Sequence, residues 1–239
     1  MDPCRTGPYE WLVQKNGRRK RTRKRRSYFS AAPLPGILAI ENVTDDFELT
    51  EKQRHQVNAT KTKRPFVDAE AIETFLSAME YPIAFLDYET YPCALPRFAG
   101  YRPSDQIPFQ FSLHLVEGPR RGAHHHAFLF TEPGCPDASF VAALKAALPA
   151  MGNVVVWNLT FEKGINAQLA ERLPSEKAFL DGVNARVVDL MDVFTEQTLV
   201  HPAFKGRTSI KFVLPALVPG PSYKELAIQE GGTASETGH

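Results

Sequence analysis

IAFLDYET, residues 83–90, is the stretch that decides the fold. In an extended strand, successive side chains point to opposite faces. Phe85, Asp87 and Glu89 therefore share one face, and Leu86 and Tyr88 lie on the other. Both faces begin with apolar residues, which is typical of a strand that is covered on both sides. The stretch predicts a strand buried inside a sheet and ending in two carboxylates.

The segments around this strand alternate between strand-like and helix-like patterns. A helix capped by Asp68 and ended by Tyr81-Pro82 precedes it, and two strands that a short loop predicts to be antiparallel follow it, PFQFSLHLVE (108–117) and HHHAFLF (124–130). Next come a helix from Asp137 to Ala150, the continuous apolar strand VVVWN (154–158) and a helix from Thr160 to Pro174. This order predicts an α/β fold in which a mixed sheet, three antiparallel strands and then a parallel strand, is flanked by helices.

Asp87 and Glu89 are the first candidate site residues. They project from the same face about 7 Å apart along the strand, because two residues of a strand span that distance. Two like charges at the end of a buried strand are costly unless a cation or a proton compensates them. The alternative is that the strand emerges into solvent there and both carboxylates are hydrated.

Two later acids point to the same edge of the sheet. Glu162 falls in the first turn of the helix that follows Asn158, where a helix N-terminus favours negative charge. Asp189 follows a short apolar run in RVVDLMDVF (186–194). Four carboxylates without a Cys/His set suit Mg²⁺ or Mn²⁺ better than zinc. The alternatives are an ordinary first-turn charge for Glu162 and a helix cap for Asp189.

These motifs carry a resemblance to known families. FLDYET, WNLTFEKG and VVDL, on this order of strands and helices, resemble the DEDD exonuclease superfamily of the ribonuclease H-like fold. The longer blocks YPIAFLDYETYPCALPRFAGYRPSDQIPFQFSLH, VVVWNLTFEKGI, ARVVDLMDVF and HPAFKGRTSIKFVLPALVPGPSY resemble the bacterial family known as domain of unknown function 2779, from about residue 36 to the C-terminus.

The resemblance implies a metal-dependent nuclease, similar to 3′–5′ exonucleases, that hydrolyses single-stranded nucleic acid with two Mg²⁺ or Mn²⁺ ions. It implies that Asp87 bridges both ions, that Glu89 binds one, and that Glu162 stands where the superfamily usually has Asp. Asp189 takes the position of an acid that more often supports the site than binds metal. The superfamily's third motif, Tyr or His followed by Asp, is expected beyond SYKELAIQEGG, and ASETGH contains no Asp, so we expect an incomplete site.

Several polar residues are candidates for holding the substrate strand. They are Thr90, Gln110, Asn158, Ser209 and Lys211, with Ser112 on the same strand face as Gln110. Ordinary surface polarity is the alternative for this set.

Composition excludes several classes of protein. Of 239 residues, 43% are hydrophobic and 23% are charged, which rules out a wholly disordered or coiled-coil chain. No apolar stretch approaches the roughly 20 residues of a membrane span, and the N-terminus lacks a signal peptide core. Cys4, Cys93 and Cys135 are widely spaced, which predicts a cytoplasmic protein rather than a disulfide scaffold. His124, His125 and His126 alternate faces, so they cannot all bind one ion.

The basic charge is concentrated in the N-terminal tail. Residues 1–26 hold ten Lys/Arg and two acids, and the rest of the chain is mildly acidic. The cluster that can bind a phosphate backbone comprises Arg18, Arg19, Lys20, Arg21, Arg23, Lys24, Arg25 and Arg26. A solvated tail without a partner is the alternative.

The sequence divides into three segments. We expect a basic, disordered segment at 1–32, a connector at 33–64, and a C-terminally incomplete domain at 65–239. Besides the nuclease, two functions stay open: an inactive nucleic-acid-binding remnant that uses the tail, and a partner-binding domain without a nucleic-acid role.

Overall fold

The computed structural model describes residues 39–218. Its helices are α1 (Glu51–Thr62), α2 (Ala69–Ser77), α3 (Asp137–Ala147), α4 (Leu159–Arg172), α5 (Lys177–Ala185), α6 (Asp192–Thr195) and α7 (Ile210–Leu217). Its strands are β1 (Phe66–Val67), β2 (Ile83–Pro92), β3 (Gln106–Val116), β4 (Ala123–Leu129), β5 (Val154–Val156), β6 (Val187–Asp189) and β7 (Leu199–Val200). None of these helices is long and apolar enough to cross a membrane.

A five-stranded mixed sheet forms the centre, in the order β4-β3-β2-β5-β6. β2 pairs antiparallel with β3 and parallel with β5, while β4 is antiparallel to β3 and β6 is parallel to β5. The predicted α/β fold with a mixed sheet flanked by helices is therefore confirmed. β6 adds a second parallel strand that we did not predict. β1 and β7 form a separate two-stranded ribbon.

One face of the sheet carries the main core. Ala84, Leu86 and Tyr88 of β2 are buried there, together with Val154 and Val156 of β5. The helices α3, α4 and α5 cover this face through a set of fully buried apolar residues, Phe140, Val141, Leu144, Ile165, Leu169, Leu180 and Val183. The hydrophobic effect of this burial fixes β2 at the centre of the sheet.

The opposite face of β2 is open, which corrects the prediction of a strand covered on both sides. Phe85 is 41% exposed, and Asp87 is exposed as well. The apolar start of the stretch was misleading because Phe85 faces a groove and not a packed layer.

A smaller core lies beyond the ends of β5 and β6. Val193, Phe194, Phe204 and Val213 are buried in it, and Trp157 and Leu190, which follow the two strands, pack against it. It joins α2, α6 and α7 to the edge of the sheet at which the parallel strands end.

Two helix boundaries differ from the sequence prediction, one at Asp137 and one at Tyr81-Pro82. Asp137 does not cap α3, whose N-cap is Pro136 and whose end is Ala147 instead of Ala150. α2 already ends at Ser77, before Tyr81-Pro82. Within the segment that we expected to be a connector, the chain forms α1, which begins with a capping box between Thr50 and Gln53. α1 also contacts β7, and Lys52 pairs with Glu196 at 2.7 Å.

Candidate functional site

Asp87 and Glu89 lie on the open face of β2, as the alternation predicts. In the antiparallel register Asp87 lies opposite Ser112 and Glu89 opposite Gln110, and directly opposed residues share a face. Partial burial raises the pKa of Asp87. Burial also raises the pKa of Glu89, the charge of Asp87 raises it further, and the charge of Lys211 opposes this increase. The two carboxylates therefore repel each other across one side of the strand.

Glu162 is the most unusual acid in the fold. It lies in the first turn of α4 and is only 2% exposed. Burial raises its pKa to about 8, and the negative charges of Asp87 and Asp189 add to the effect. Its Oε2 atom is buried without a hydrogen-bond partner. Ionising a buried carboxylate that lies near two others and has one oxygen without a donor is costly, and a bound cation or a proton reduces this cost.

Asp189 serves as a cap, in agreement with the alternative that we left open. At the end of β6 its carboxylate accepts hydrogen bonds from the backbone N–H groups of Asn158 (2.9 Å), Leu159 (2.8 Å) and Met191 (3.0 Å). The helix that it caps is α4 and not the helix that follows it in sequence. Asp189 thereby fixes the helix turn that carries Glu162.

A buried polar chain supports the same turn from the core side. The hydroxyl of Tyr88 donates to Oδ1 of Asn166 at 3.1 Å, and Nδ2 of Asn166 donates to Oδ1 of Asn184 at 2.8 Å. Burial and then the charge of Glu162 raise the pKa of Tyr88. Sequence reasoning missed this chain because its members come from three distant elements. The single available signal was a Tyr between two acids on a strand.

The predicted substrate-binding residues differ in their positions and in their contacts. Gln110 lies beside Glu89, and the charge of Lys211, on α7, lowers the pKa of Glu89. Thr90 donates its hydroxyl to Oε1 of Gln106 at 2.8 Å, which gives it a structural contact between strands. Asn158 is exposed, with a φ of 84°, and precedes α4. Ser209 is the N-cap residue of α7 but makes no side-chain capping bond.

A groove of about 390 Å³ runs along the open face next to these acids. Asp87 and Ser112 line its polar end. Its other lining residues are mainly apolar or aromatic and include Phe85, His114, Val155, Trp157, Leu190 and Ile210. The groove places an apolar surface directly beside the carboxylates.

The acids of this site could supply only part of the ligands of a divalent cation. Between residues 39 and 218 no three His, Cys, Asp or Glu side chains lie together closely enough to form a metal site by themselves. The carboxylate chemistry and the unpartnered Glu162 oxygen nevertheless fit Mg²⁺, which proteins usually bind through one or two carboxylates together with substrate phosphates and water. The residues fit a shared site of this kind and not an all-protein cage.

The basic tail, Arg18 to Arg26, lies outside the described residues, as does the segment in which we expected the third motif.

Comparison with known proteins gives a family match. The model of a family described as a domain of unknown function (DUF2779) matches residues 84–209, which include Asp87, Glu89, Glu162 and Asp189. No curated protein and no solved structure matches the chain. The chain belongs to the family of the domain of unknown function DUF2779.

Proposed function

We propose that this domain hydrolyses phosphodiester bonds of single-stranded nucleic acid with the help of Mg²⁺ or Mn²⁺, removing nucleotides from the 3′ end. One observation carries the proposal. The carboxylate of Glu162 has a buried oxygen without a hydrogen-bond partner. Burial, together with the nearby negative charges of Asp87 and Asp189, raises its pKa to about 8. A bound cation would offset the cost of ionising this buried carboxylate near two other acids.

We also propose that the fold is ribonuclease H-like. Three sequential antiparallel strands are followed by two parallel strands, with the first strand at the centre of the sheet. Asp87 and Glu89 on that central strand and Glu162 early in α4 then take the positions that the resemblance implies. Because one fold hosts many functions, the site residues and not the fold indicate the chemistry.

Asp87, Glu89 and Glu162 would hold the cation, together with the phosphate of the substrate. When bound, a divalent ion lowers the pKa of a water molecule and stabilises charge on the phosphate oxygens. The other residues position these groups. Asp189 fixes the first turn of α4, and Lys211 places a positive charge near Glu89, where it would attract a phosphate.

A second candidate function is a nucleic-acid-binding remnant without catalysis. The lack of three gathered metal-binding side chains within residues 39–218 favours it. In that case the basic tail would supply the affinity, and binding would weaken steeply with salt.

Hydrolysis of labelled single-stranded DNA and RNA oligonucleotides in Mn²⁺ tests the proposal. We expect mononucleotide release from the 3′ end that EDTA stops and that Asp87→Asn abolishes. Asp181→Asn, an exposed acid on α5, is the matched control and should keep the activity. If the folded wild-type protein releases no nucleotide while it binds the same oligonucleotide, the hydrolase proposal is wrong and the remnant is favoured.

Metal binding gives a second readout. Because the cation would share its ligands with a phosphate, Mn²⁺ affinity measured by calorimetry should rise when an uncleaved phosphorothioate oligonucleotide is present. Equal Mn²⁺ affinity in wild type and Asp87→Asn, with and without the oligonucleotide, would contradict a cation at these acids.

A further inference from the structure

Phe85 presents an exposed aromatic ring at the floor of the groove. It lies opposite His114 on β3 and opposite Val155 on β5, so these three side chains form one row across the open face. The ring of Phe85 is 41% exposed, and within residues 39–218 it stacks on no other aromatic ring. Because the ring lies at the centre of the sheet and is partly exposed, it offers a surface on which a planar ligand can stack.

Side-chain contacts hold the planar residues on both sides of Phe85. The rings of His114 and His125 stack on each other with centroids 4.4 Å apart, and Ser112 Oγ lies 3.1 Å from Nε2 of His125. On the other side, Trp157 stacks on Phe194 and donates its Nε1–H to the carbonyl of Thr208. These contacts orient planar side chains on both sides of the groove.

We propose that this groove holds the base of one unpaired nucleotide, stacked on Phe85, while the phosphate of that nucleotide lies towards Asp87 and Lys211. The assignment rests on the proposed function, since it names the part of the substrate that the same site would recognise. A base has apolar faces and polar edges. The groove matches that pattern, with Phe85 and Ile210 in its apolar part and Ser112 and Asp87 at its polar end.

The continuity of the groove with the acids favours a nucleotide over an apolar protein segment. Asp87 lines the groove, and its negative charge also contributes to the raised pKa of Glu89 and of Glu162. Asp87 follows Phe85 by two residues on the same face, at a separation of about 7 Å along the strand. A purely apolar partner would bury the Asp87 charge without compensation, whereas a nucleotide brings a phosphate that Lys211 and a cation can neutralise.

Binding of AMP in Mg²⁺ tests the base site separately from catalysis, since AMP contains no phosphodiester bond to cleave and Mg²⁺ can neutralise its phosphate near Asp87. Trp157 lines the groove, so its fluorescence reports binding once Trp11 is replaced by Phe. We expect AMP to change this fluorescence saturably and ribose 5-phosphate, which lacks the base, to bind much more weakly. Phe85→Leu should weaken AMP binding about tenfold, since it removes one base–aromatic stack. Phe85→Tyr should restore the affinity, and the exposed Leu95→Ala should leave it unchanged.

The outcomes separate the two proposals. AMP binding that depends on Phe85, in a protein that cleaves no oligonucleotide, supports the base site and contradicts the hydrolase. Cleavage in Mn²⁺, with AMP affinity and KM unchanged by Phe85→Leu, overturns the base site and leaves the hydrolase. Equal binding of AMP and ribose 5-phosphate also overturns the base site. Binding of N-acetylphenylalanine amide without binding of AMP, checked by equilibrium dialysis, would indicate a protein partner and also overturn it.

Discussion

The carboxylate of Asp189 accepts a hydrogen bond from the backbone N–H of Asn158 at 2.9 Å. Its other oxygen accepts the N–H of Leu159 at 2.8 Å. The last residue of β6 thus satisfies the free N–H groups at the start of α4, a helix that follows the neighbouring strand. Because Glu162 lies in this first turn, the position of the most perturbed acid depends on Asp189.

Replacing Asp189 by Ala should therefore destabilise the fold. Its side chain is buried and accepts three backbone hydrogen bonds, so the substitution leaves donors unsatisfied and costs about 3 kcal/mol. Urea unfolding followed by circular dichroism measures this loss as a lower midpoint. Asp181→Ala, which breaks only the exposed pair with Lys177, should change stability by less than about 0.5 kcal/mol. Equal midpoints for the two variants would show that Asp189 does not hold α4.

The raised pKa of Glu162 predicts a stability that falls as the pH rises. Between its ordinary value of 4.5 and about 8, the folded protein binds a proton that the unfolded chain has lost. Stability therefore decreases through this window, because rising pH favours the unfolded chain, in which Glu162 is ionised, over the folded protein, in which burial and like charges keep Glu162 protonated. Below pH 4.5 this loss of stability is absent. Above pH 8, where Glu162 is ionised in the folded protein too, the loss is complete and is on the order of 3–5 kcal/mol in the metal-free protein.

Glu162→Gln should remove this dependence. The difference in unfolding free energy between wild type and variant, measured in EDTA at intervals from pH 4.5 to 9, should grow in favour of the variant across the window. Glu73→Gln, an exposed position on α2, should follow the wild-type curve. A pH-independent difference between wild type and Glu162→Gln would mean that Glu162 has no raised pKa in the folded protein.

The sequence could predict which acids share a face, but not what covers that face. The period of two in IAFLDYET correctly placed Asp87 and Glu89 together, since a strand's alternation does not depend on tertiary contacts. Whether Phe85 meets a packed layer or a groove depends on where α7 and the smaller core lie, which no local pattern contains. β6 was missed for a related reason. A three-residue strand has too few residues to show a period, and its pairing with β5 stabilises it.

Carboxylates are equally hard to assign from local sequence. We predicted that a helix begins at Asp137, and a helix cap was the alternative for Asp189, because an acid before a helical pattern is the usual sign of an N-cap. In the fold, Asp189 caps a helix 30 residues earlier and Asp137 pairs with Arg172. Long-range partners decide both roles. The metal, substrate and tail residues stay predictions, since their partners are ligands and not parts of the chain.

Arg172 is expected to be essential for joining α4 to the loop before β3. Its Nε lies 2.7 Å from Oδ2 of Asp137, and its guanidinium lies 3.9 Å from the ring centroid of Tyr101, whose hydroxyl donates to the same carboxylate. Arg172→Met leaves a buried charge without its cation and should cost about 3–5 kcal/mol. Asp137→Leu added to Arg172→Met should cost much less than the sum of the single changes. Additive losses in this urea-unfolding cycle would contradict a coupled buried pair.

Gly152 is the position at which a single methyl group should be most damaging. It precedes β5 with a φ of +82°, and a Cβ added there would collide with the backbone carbonyl and nitrogen of Pro82, just before β2. Gly152→Ala should therefore lower the unfolding free energy by about 1–3 kcal/mol from the backbone strain alone, and by more from the clash. Gly182→Ala is the matched control. Gly182 lies inside α5 with open space around it, so the same methyl group should stabilise the protein by up to about 1 kcal/mol. Thermal unfolding of the two variants should thus shift in opposite directions, and a Gly152→Ala protein as stable as wild type would contradict the close approach of β2 and the turn before β5.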